Sequence, residues 1–166
     1  MKYTIRLATA TDIPLLAPLE LASAVRVSEE DLPMRFDYTV PTEFHEQALE
    51  RKTLWVAELD DNTVIGYCLL REIHGLALLF QLDVLPQYGQ QGIGRALVMR
   101  AISRARELGY DYIYLTTFQH LAWNAPFYAK LGFAEMPDSQ LPAPVLAILN
   151  EERAIIAKRV AMGKSL

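Results

Sequence analysis

A chain of 166 residues that is 52% hydrophobic and 22% charged carries enough apolar material for one core and no length for a second, so residues 1–166 read as one globular domain. Its formal net charge of −4 and isoelectric point near 5.4 leave no excess of Lys and Arg to displace counterions from nucleic acid, which argues against a general nucleic-acid binder. No run approaches the roughly 18 apolar residues of a membrane span, and Met1-Lys-Tyr-Thr-Ile-Arg6 lacks the apolar centre of a secretory signal, so a cytoplasmic protein without membrane contact is expected.

In chain order, Tyr3 to Leu7 alternates as a strand, and Thr9-Ala-Thr-Asp12 supplies a capping-type start to a helical run from Ile13 to about Val25. Ser28 to Arg51 is locally acidic and interrupted by Pro33 and Pro41; it reads as a mixed helix and loop excursion with a mostly solvated face. Leu54 to Leu59 and Val64 to Leu70 form a hairpin across Asp60-Asp-Asn-Thr63, whose residues tolerate left-handed backbone. The single cysteine, Cys68, lies within that second strand and reads as a buried, inert thiol with no disulfide partner. Beyond a break at His74-Gly75, Leu76 to Val84 is a largely buried strand, ended by Pro86.

Leu97, Val98, Ala101, Ile102, Ala105 and Leu108 then form the stripe of an amphipathic helix, with Gly109 at its C-terminal cap. Tyr110 to Phe118 is a further strand, Asn124-Ala-Pro126 opens a short helix that ends at Leu131-Gly132, and Phe133 to Met136 is extended. A helical run from Val145 to about Ala154 and a last segment, Lys158 to Met162, complete the chain. Strands in runs with helices between them predict an α/β fold of the mixed, α+β kind.

The sharpest motif is Gln90-Gln91-Gly92-Ile93-Gly94-Arg95, set between a buried strand and the long helix. Glycines there let backbone N–H groups converge on an anion, and the helix N-terminus adds free donors and a positive dipole end. A P-loop is excluded because no Gly-Lys-Ser/Thr follows, and a dinucleotide fingerprint because Leu97 stands where its third glycine would be.

The segment Val84-Leu-Pro-Gln-Tyr-Gly-Gln-Gln-Gly-Ile-Gly-Arg-Ala-Leu97 resembles the cofactor-binding segment of the GNAT acetyltransferase superfamily, and Asn124-Ala-Pro-Phe-Tyr-Ala-Lys-Leu-Gly-Phe133 resembles its second signature. The order of elements along nearly the whole chain is also that of the family. The resemblance implies a central mixed, mostly antiparallel sheet flanked by helices, with acetyl-CoA as co-substrate and no metal. It implies that Gln90, Gln91, Gly92, Ile93, Gly94, Arg95 and Ala96 cradle the pyrophosphate, that Leu82, Asp83 and Val84 pair their backbone with the pantetheine arm, and that Asn124 either contacts the cofactor or caps its helix. The chain departs from the pattern at Gly89, where the family has Gln or Arg, and Gln90 is the residue at hand to substitute.

The resemblance also makes Tyr128 the acid that protonates the departing thiolate, which requires a dry, positioned phenol. A base for the incoming amine is harder to find, since Leu76 to Val84 carries no Glu and only Gln81 and Asp83 as polar side chains. His120 is the titratable alternative, and the three histidines show no metal-ligand spacing. The acidic excursion favours a cationic acceptor, a small-molecule or peptide amine, with a homodimer left open. The rival reading is a non-catalytic acyl-CoA-binding sensor or scaffold.

Overall fold

The computed structural model describes residues 2–28, 31, 38–156 and 158–166. Strand β1, Tyr3–Leu7, leads into helix α1, Ile13–Ala24, and helix α2, Thr42–Arg51, precedes the hairpin strands β2, Leu54–Leu59, and β3, Val64–Ile73. Strand β4, Leu76–Val84, is followed by the long helix α3, Ile93–Glu107, strand β5, Tyr112–Phe118, and the short helix α4, Ala125–Ala129. Strand β6, Ala134–Glu135, helix α5, Ala143–Arg153, and strand β7, Arg159–Ser165, close the chain. The strands form one mixed sheet in the order β1-β2-β3-β4-β5-β7-β6, as the α/β reading predicts. Much of the acidic excursion between Ser28 and Tyr38 lies outside the described residues.

Local chemistry accounts for the turns. Asn62 takes the left-handed conformation expected of the first hairpin, and His74 and Gly75, at φ of 50° and 78°, turn β3 into β4. Gly109, at φ of 83°, follows α3 as its terminating residue. The start of α1 keeps one half of the expected capping pattern. Asp12 stands at the cap position without a side-chain capping bond, because its carboxylate accepts from the backbone N–H of Thr9 at 2.7 Å and from both terminal nitrogens of Arg6 at 2.7 and 2.9 Å. Arg6 also reaches Glu58 through Nε at 2.9 Å, so one guanidinium ties β1, β2 and the head of α1 together.

The core has two sides. Helices α3 and α4 cover one face of the sheet through Ile93, Leu97, Val98, Ala101, Ile102, Ala105 and Tyr128. On the other face, α1 and α2 pack Leu16, Leu19 and Ala48 against Val56, Tyr67 and Leu69, and α5 packs Val145 and Leu149 against Leu78 and Tyr114. No helix among the described residues is long and apolar enough to cross a membrane.

Gly163 is the tightest point of this packing. It pairs with Tyr114 and Ala134 across β7, and a Cβ there would lie 2.5 Å from Met136 Sδ and 2.7 Å from Tyr112 Cε1. Gly163→Ala is therefore expected to destabilise the fold by about 1–3 kcal/mol through overpacking, read from the midpoint of urea unfolding. An unchanged midpoint would mean that β6 and Tyr112 yield freely.

Candidate active site

Strands β4 and β5 run parallel but pair only at Ala77 with Ile113 and Leu78 with Tyr114. Beyond that point β4 follows β3 as far as Val84 opposite Gly66, while β5 follows β7 as far as Phe118 opposite Arg159. The sheet therefore splits into a wedge, and the edge of β4 from Phe80 to Val84 that faces β5 has no strand partner among the described residues. Leu82, Asp83 and Val84 all lie on this edge.

A bulge decides which side chains face which way. Leu69 pairs with Gln81 and Leu70 with Leu79, which leaves Phe80 as an extra residue on β4. Leu79 packs into the core beneath α3, whereas Phe80 packs with the α2 and α5 side. Gln81 then shares the face of its partner Leu69, and Asp83 shares the face of Tyr67, while Leu82 returns to the α3 side. Without the extra residue, Asp83 would point into the α3 core.

The turn ahead of α3 is built for backbone donors. Gln90 and Gly92 are left-handed, at φ of 61° and 82°, and the first intrahelical bond runs from Ala96 N–H to the Gly92 carbonyl at 2.9 Å. The N–H groups of Ile93, Gly94 and Arg95 thus head the helix without intrahelical acceptors. The Ile93 side chain is core, and Gln90, Gln91 and Arg95 are exposed. A Cβ on Gly94 would sit 3.5 Å from Phe127 Cζ and 3.9 Å from Leu82 Cδ2, so the turn, α4 and β4 converge there. Gly89 is explained by Arg26, whose guanidinium lies across it and donates to the Pro86 carbonyl; a Cβ on Gly89 would fall 2.4 Å from Arg26 Nη2. The side chain absent at Gly89 leaves room for a cation from the end of α1.

Around the wedge lies a buried polar cluster that sequence reading missed. Tyr67 Oη donates to Glu20 Oε1 at 2.7 Å, and the Val40 N–H donates to Glu20 Oε2 at 2.8 Å. His45, 2% exposed, packs edge-on against Tyr67 with its Nε2 3.9 Å from Glu20 and without a hydrogen bond. Burial lowers the imidazole of His45 below its usual range and raises the carboxyl of Glu20 above its own, although the bonds from Tyr67 and Val40 oppose the latter shift. Asp83 accepts from Gln81 Nε2 at 2.7 Å. Burial, with the negative field of Glu20 added, pushes its carboxyl up to about 7 against that hydrogen bond.

Tyr128 stands on the opposite face, on α4, packed between Phe127 and Phe133 at ring separations of 5.0 and 5.9 Å. Its hydroxyl has no hydrogen-bond partner among the described residues, and burial, with the fields of Cys68 and Asp83, keeps it firmly a phenol. Cys68 is fully buried, as its sequence context predicts. Asn124 does not cap α4: its Nδ2 donates to Thr117 Oγ1 at 2.8 Å. His120 lies past the end of β5, with Nε2 3.0 Å from Asp31 Oδ1 and its ring against Phe118, and none of its contacts reaches Asp83 or Tyr128. Glu20 carried one legible signal, a carboxylate in the middle of an apolar helix. No group of His, Cys, Asp or Glu among the described residues is arranged to hold a metal.

The split mixed sheet thus carries an anion-ready helix N-terminus on one side, with Asp83 and Tyr128 on opposite faces. A model of the acetyltransferase (GNAT) family matches residues 21–133. N-acetylglutamate synthase from Neisseria gonorrhoeae, complexed with coenzyme A and N-acetyl-glutamate, superposes with a TM-score of 0.71 at 22% identity over 100% of this chain. This chain spans only 35% of the Neisseria protein. Rv2747 from Mycobacterium tuberculosis, in complex with CoA and NLQ, gives 0.74 at 22% identity over 98% of this chain and 99% of its own. The ribosomal-protein-S18-alanine N-acetyltransferase from Escherichia coli gives 0.66 at 18% identity over 99% and 94%. The chain belongs to the GNAT acetyltransferase family.

Asp83 leaves a signature in stability. An ordinary aspartate titrates at 3.8, and Asp83 in the fold holds its proton to about 7, so the native state binds the extra proton between these values. Its contribution favours the fold at low pH and is lost as pH rises through that window. Asp83→Asn, which cannot ionise, is expected to gain a few °C in Tm over the parent on going from pH 5 to pH 8. A pH-independent difference between the two would show that Asp83 titrates normally.

Proposed function

We propose that the protein transfers the acetyl group of acetyl-CoA directly to a primary amine of a small molecule or peptide, with Asp83 accepting the amine proton and Tyr128 protonating the departing sulfur. The observation that carries this reading is the pairing of a carboxyl pushed up to about 7 with a buried phenol on opposite faces of one open wedge. A base is most useful when it titrates near the working pH, and a phenol that stays protonated is a usable acid.

The residues present fit acetyl-CoA. The left-handed turn at Gln90 and Gly92 presents the N–H groups of Ile93, Gly94 and Arg95 toward a pyrophosphate, whereas the Ala96 N–H is spent on the Gly92 carbonyl, and Gln91 and the cations of Arg95 and Arg26 stand beside the turn. The unpaired edge of Leu82 to Val84 offers backbone donors and acceptors to the amide-bearing arm, and Asn124, bonded to Thr117 of β5, stands on the other strand's side. When bound, acetyl-CoA supplies a thioester carbonyl activated for attack. On the acceptor side, Asp83 takes a proton at its carboxylate, and Tyr67 and Glu20 hold the wall behind it. On the donor side, Tyr128 Oη gives its proton to sulfur, and the rings of Phe127 and Phe133 exclude water. Among the structural neighbours, one is an N-acetylglutamate synthase complexed with N-acetyl-glutamate and another is named for a ribosomal-protein alanine, which suits the broad amine class proposed here.

Release of free thiol from acetyl-CoA across a panel of amines tests the reading directly, since a sensor or scaffold would bind without turnover. Gly92→Asp is expected to abolish the rise in Tm that acetyl-CoA gives the parent, by setting a side chain and a negative charge against the phosphates.

Tyr128→Phe and Asp83→Asn are each expected to lower kcat about 100-fold with acetyl-CoA affinity retained, and kcat/KM of the parent should climb with pH through about 7. His120→Ala should cost less than tenfold; a larger loss than that of Asp83→Asn would move the base to His120.

A further inference from the structure

On the acceptor face of the sheet, α2 and α5 stand apart over β3 and β4 and leave a cleft of ≈ 610 Å³ lined by Phe44, Arg71, Phe80, Ile148 and Glu151. This is the size of a small-molecule site. Its floor is the bulge residue Phe80, and Arg71 pairs across the ladder with Leu78, the last residue of β4 that still pairs with β5. The cleft therefore opens at the apex of the wedge.

Arg71 is held there in an unusual way. Its Cζ lies 3.3 Å from the centroid of the Phe44 ring and 4.8 Å from that of Phe80, and the two rings meet edge to face at 5.6 Å. The rings fix the plane of the guanidinium and strip water from it, while its N–H edges remain available. No carboxylate among the described residues pairs with Arg71. The acidic neighbours are engaged elsewhere: Glu72 with Arg51 at 3.1 Å, and Glu152 with Arg159 at 3.0 Å and Thr116 at 2.8 Å. Glu151, exposed at the rim, is the remaining negative charge among the described lining residues.

A planar, pre-oriented guanidinium without a carboxylate partner among the described residues, facing a cleft beside a reaction centre, is a receptor for a carboxylate. We propose that Arg71 binds the carboxylate of the acceptor, which makes the acceptor an amino acid or a short peptide bearing its carboxylate a few bonds from the reacting amine. The inference rests on the acetyltransferase reading above. Its geometry is consistent with that of Asp83: three steps of strand lead from Phe80 to Asp83, about 10 Å at ~3.3 Å per residue, so the guanidinium held on the Phe80 ring and the Asp83 carboxyl share one face of β4. The amine end then lies toward Asp83 and the carboxylate end toward Arg71.

The test is equilibrium titration of the full chain, with CoA present, using the N-acetyl forms of alanine, glutamine and methionine and the primary amide of each. These compounds differ within each pair only in the charge that Arg71 would read, and binding needs no turnover. The parent is expected to bind at least one acid ten-fold or more tightly than its amide, Arg71→Gln to lose that preference, and Arg71→Lys to keep part of it. A CoA-induced rise in Tm equal to that of the parent verifies that each variant is folded. Equal binding of acid and amide by the parent, no binding of either, or a preference that survives in Arg71→Gln would overturn the assignment. Failure of the acetyltransferase reading would instead appear as absent thiol release with the carboxylate preference intact.

Discussion

All the parallel pairing between β4 and β5 rests on two positions, Ala77 with Ile113 and Leu78 with Tyr114, and the site exists because there are so few. Each strand is held along its other edge by an antiparallel neighbour, so neither can bend across to close the gap. Backbone donors and acceptors left facing the gap must find water or a ligand, since an unpaired buried peptide group is costly. An extended ligand with its own amides satisfies them as a further strand would. The sheet is thereby strong on both sides of a break and receptive within it.

The bulge at Phe80 adds a second consequence to the break. One extra residue moves Leu82 to the α3 face and Asp83 to the α1 and α2 face, opposite the face on which Tyr128 packs. The same residue supplies the ring that orders Arg71, so a single irregularity shapes both the chemical centre and the cleft next to it.

Elements whose cause is local were legible in the residues. The hairpin turn at Asn62, the strand Leu76–Val84, the glycine turn before α3 and the stripe of that helix all follow from periodicity and turn chemistry within a dozen residues. What was not legible depends on partners far along the chain. Asp83 lies in an apolar run without alternation, so no pattern shows which face it takes or that a bulge precedes it. Glu20 meets Tyr67 across 47 positions, and Arg26 reaches the Pro86 carbonyl across 60. The capping-type start Thr9-Ala-Thr-Asp12 was legible in that Asp12 accepts the Thr9 N–H, but the claim of the Arg6 guanidinium on the same carboxylate was not. His120 drew attention as an isolated titratable group, whereas the group raised toward neutrality is a carboxylate that sequence alone gives no reason to perturb.

Cys68 lies close enough to the wedge for its field to be felt by Tyr128, yet it is wholly buried and its thiol is held well above the ordinary range by desolvation, with the charge of Asp83 adding to it. A thiolate is the form that attacks thioesters and disulfides, so this sulfur is kept from capturing an acyl group for itself and from joining to a released thiol as a mixed disulfide. An enzyme of this family works among activated acyl groups and free thiols at every turnover. The chain's only sulfhydryl is thus shielded from self-acylation by the same dry packing that surrounds the tyrosine.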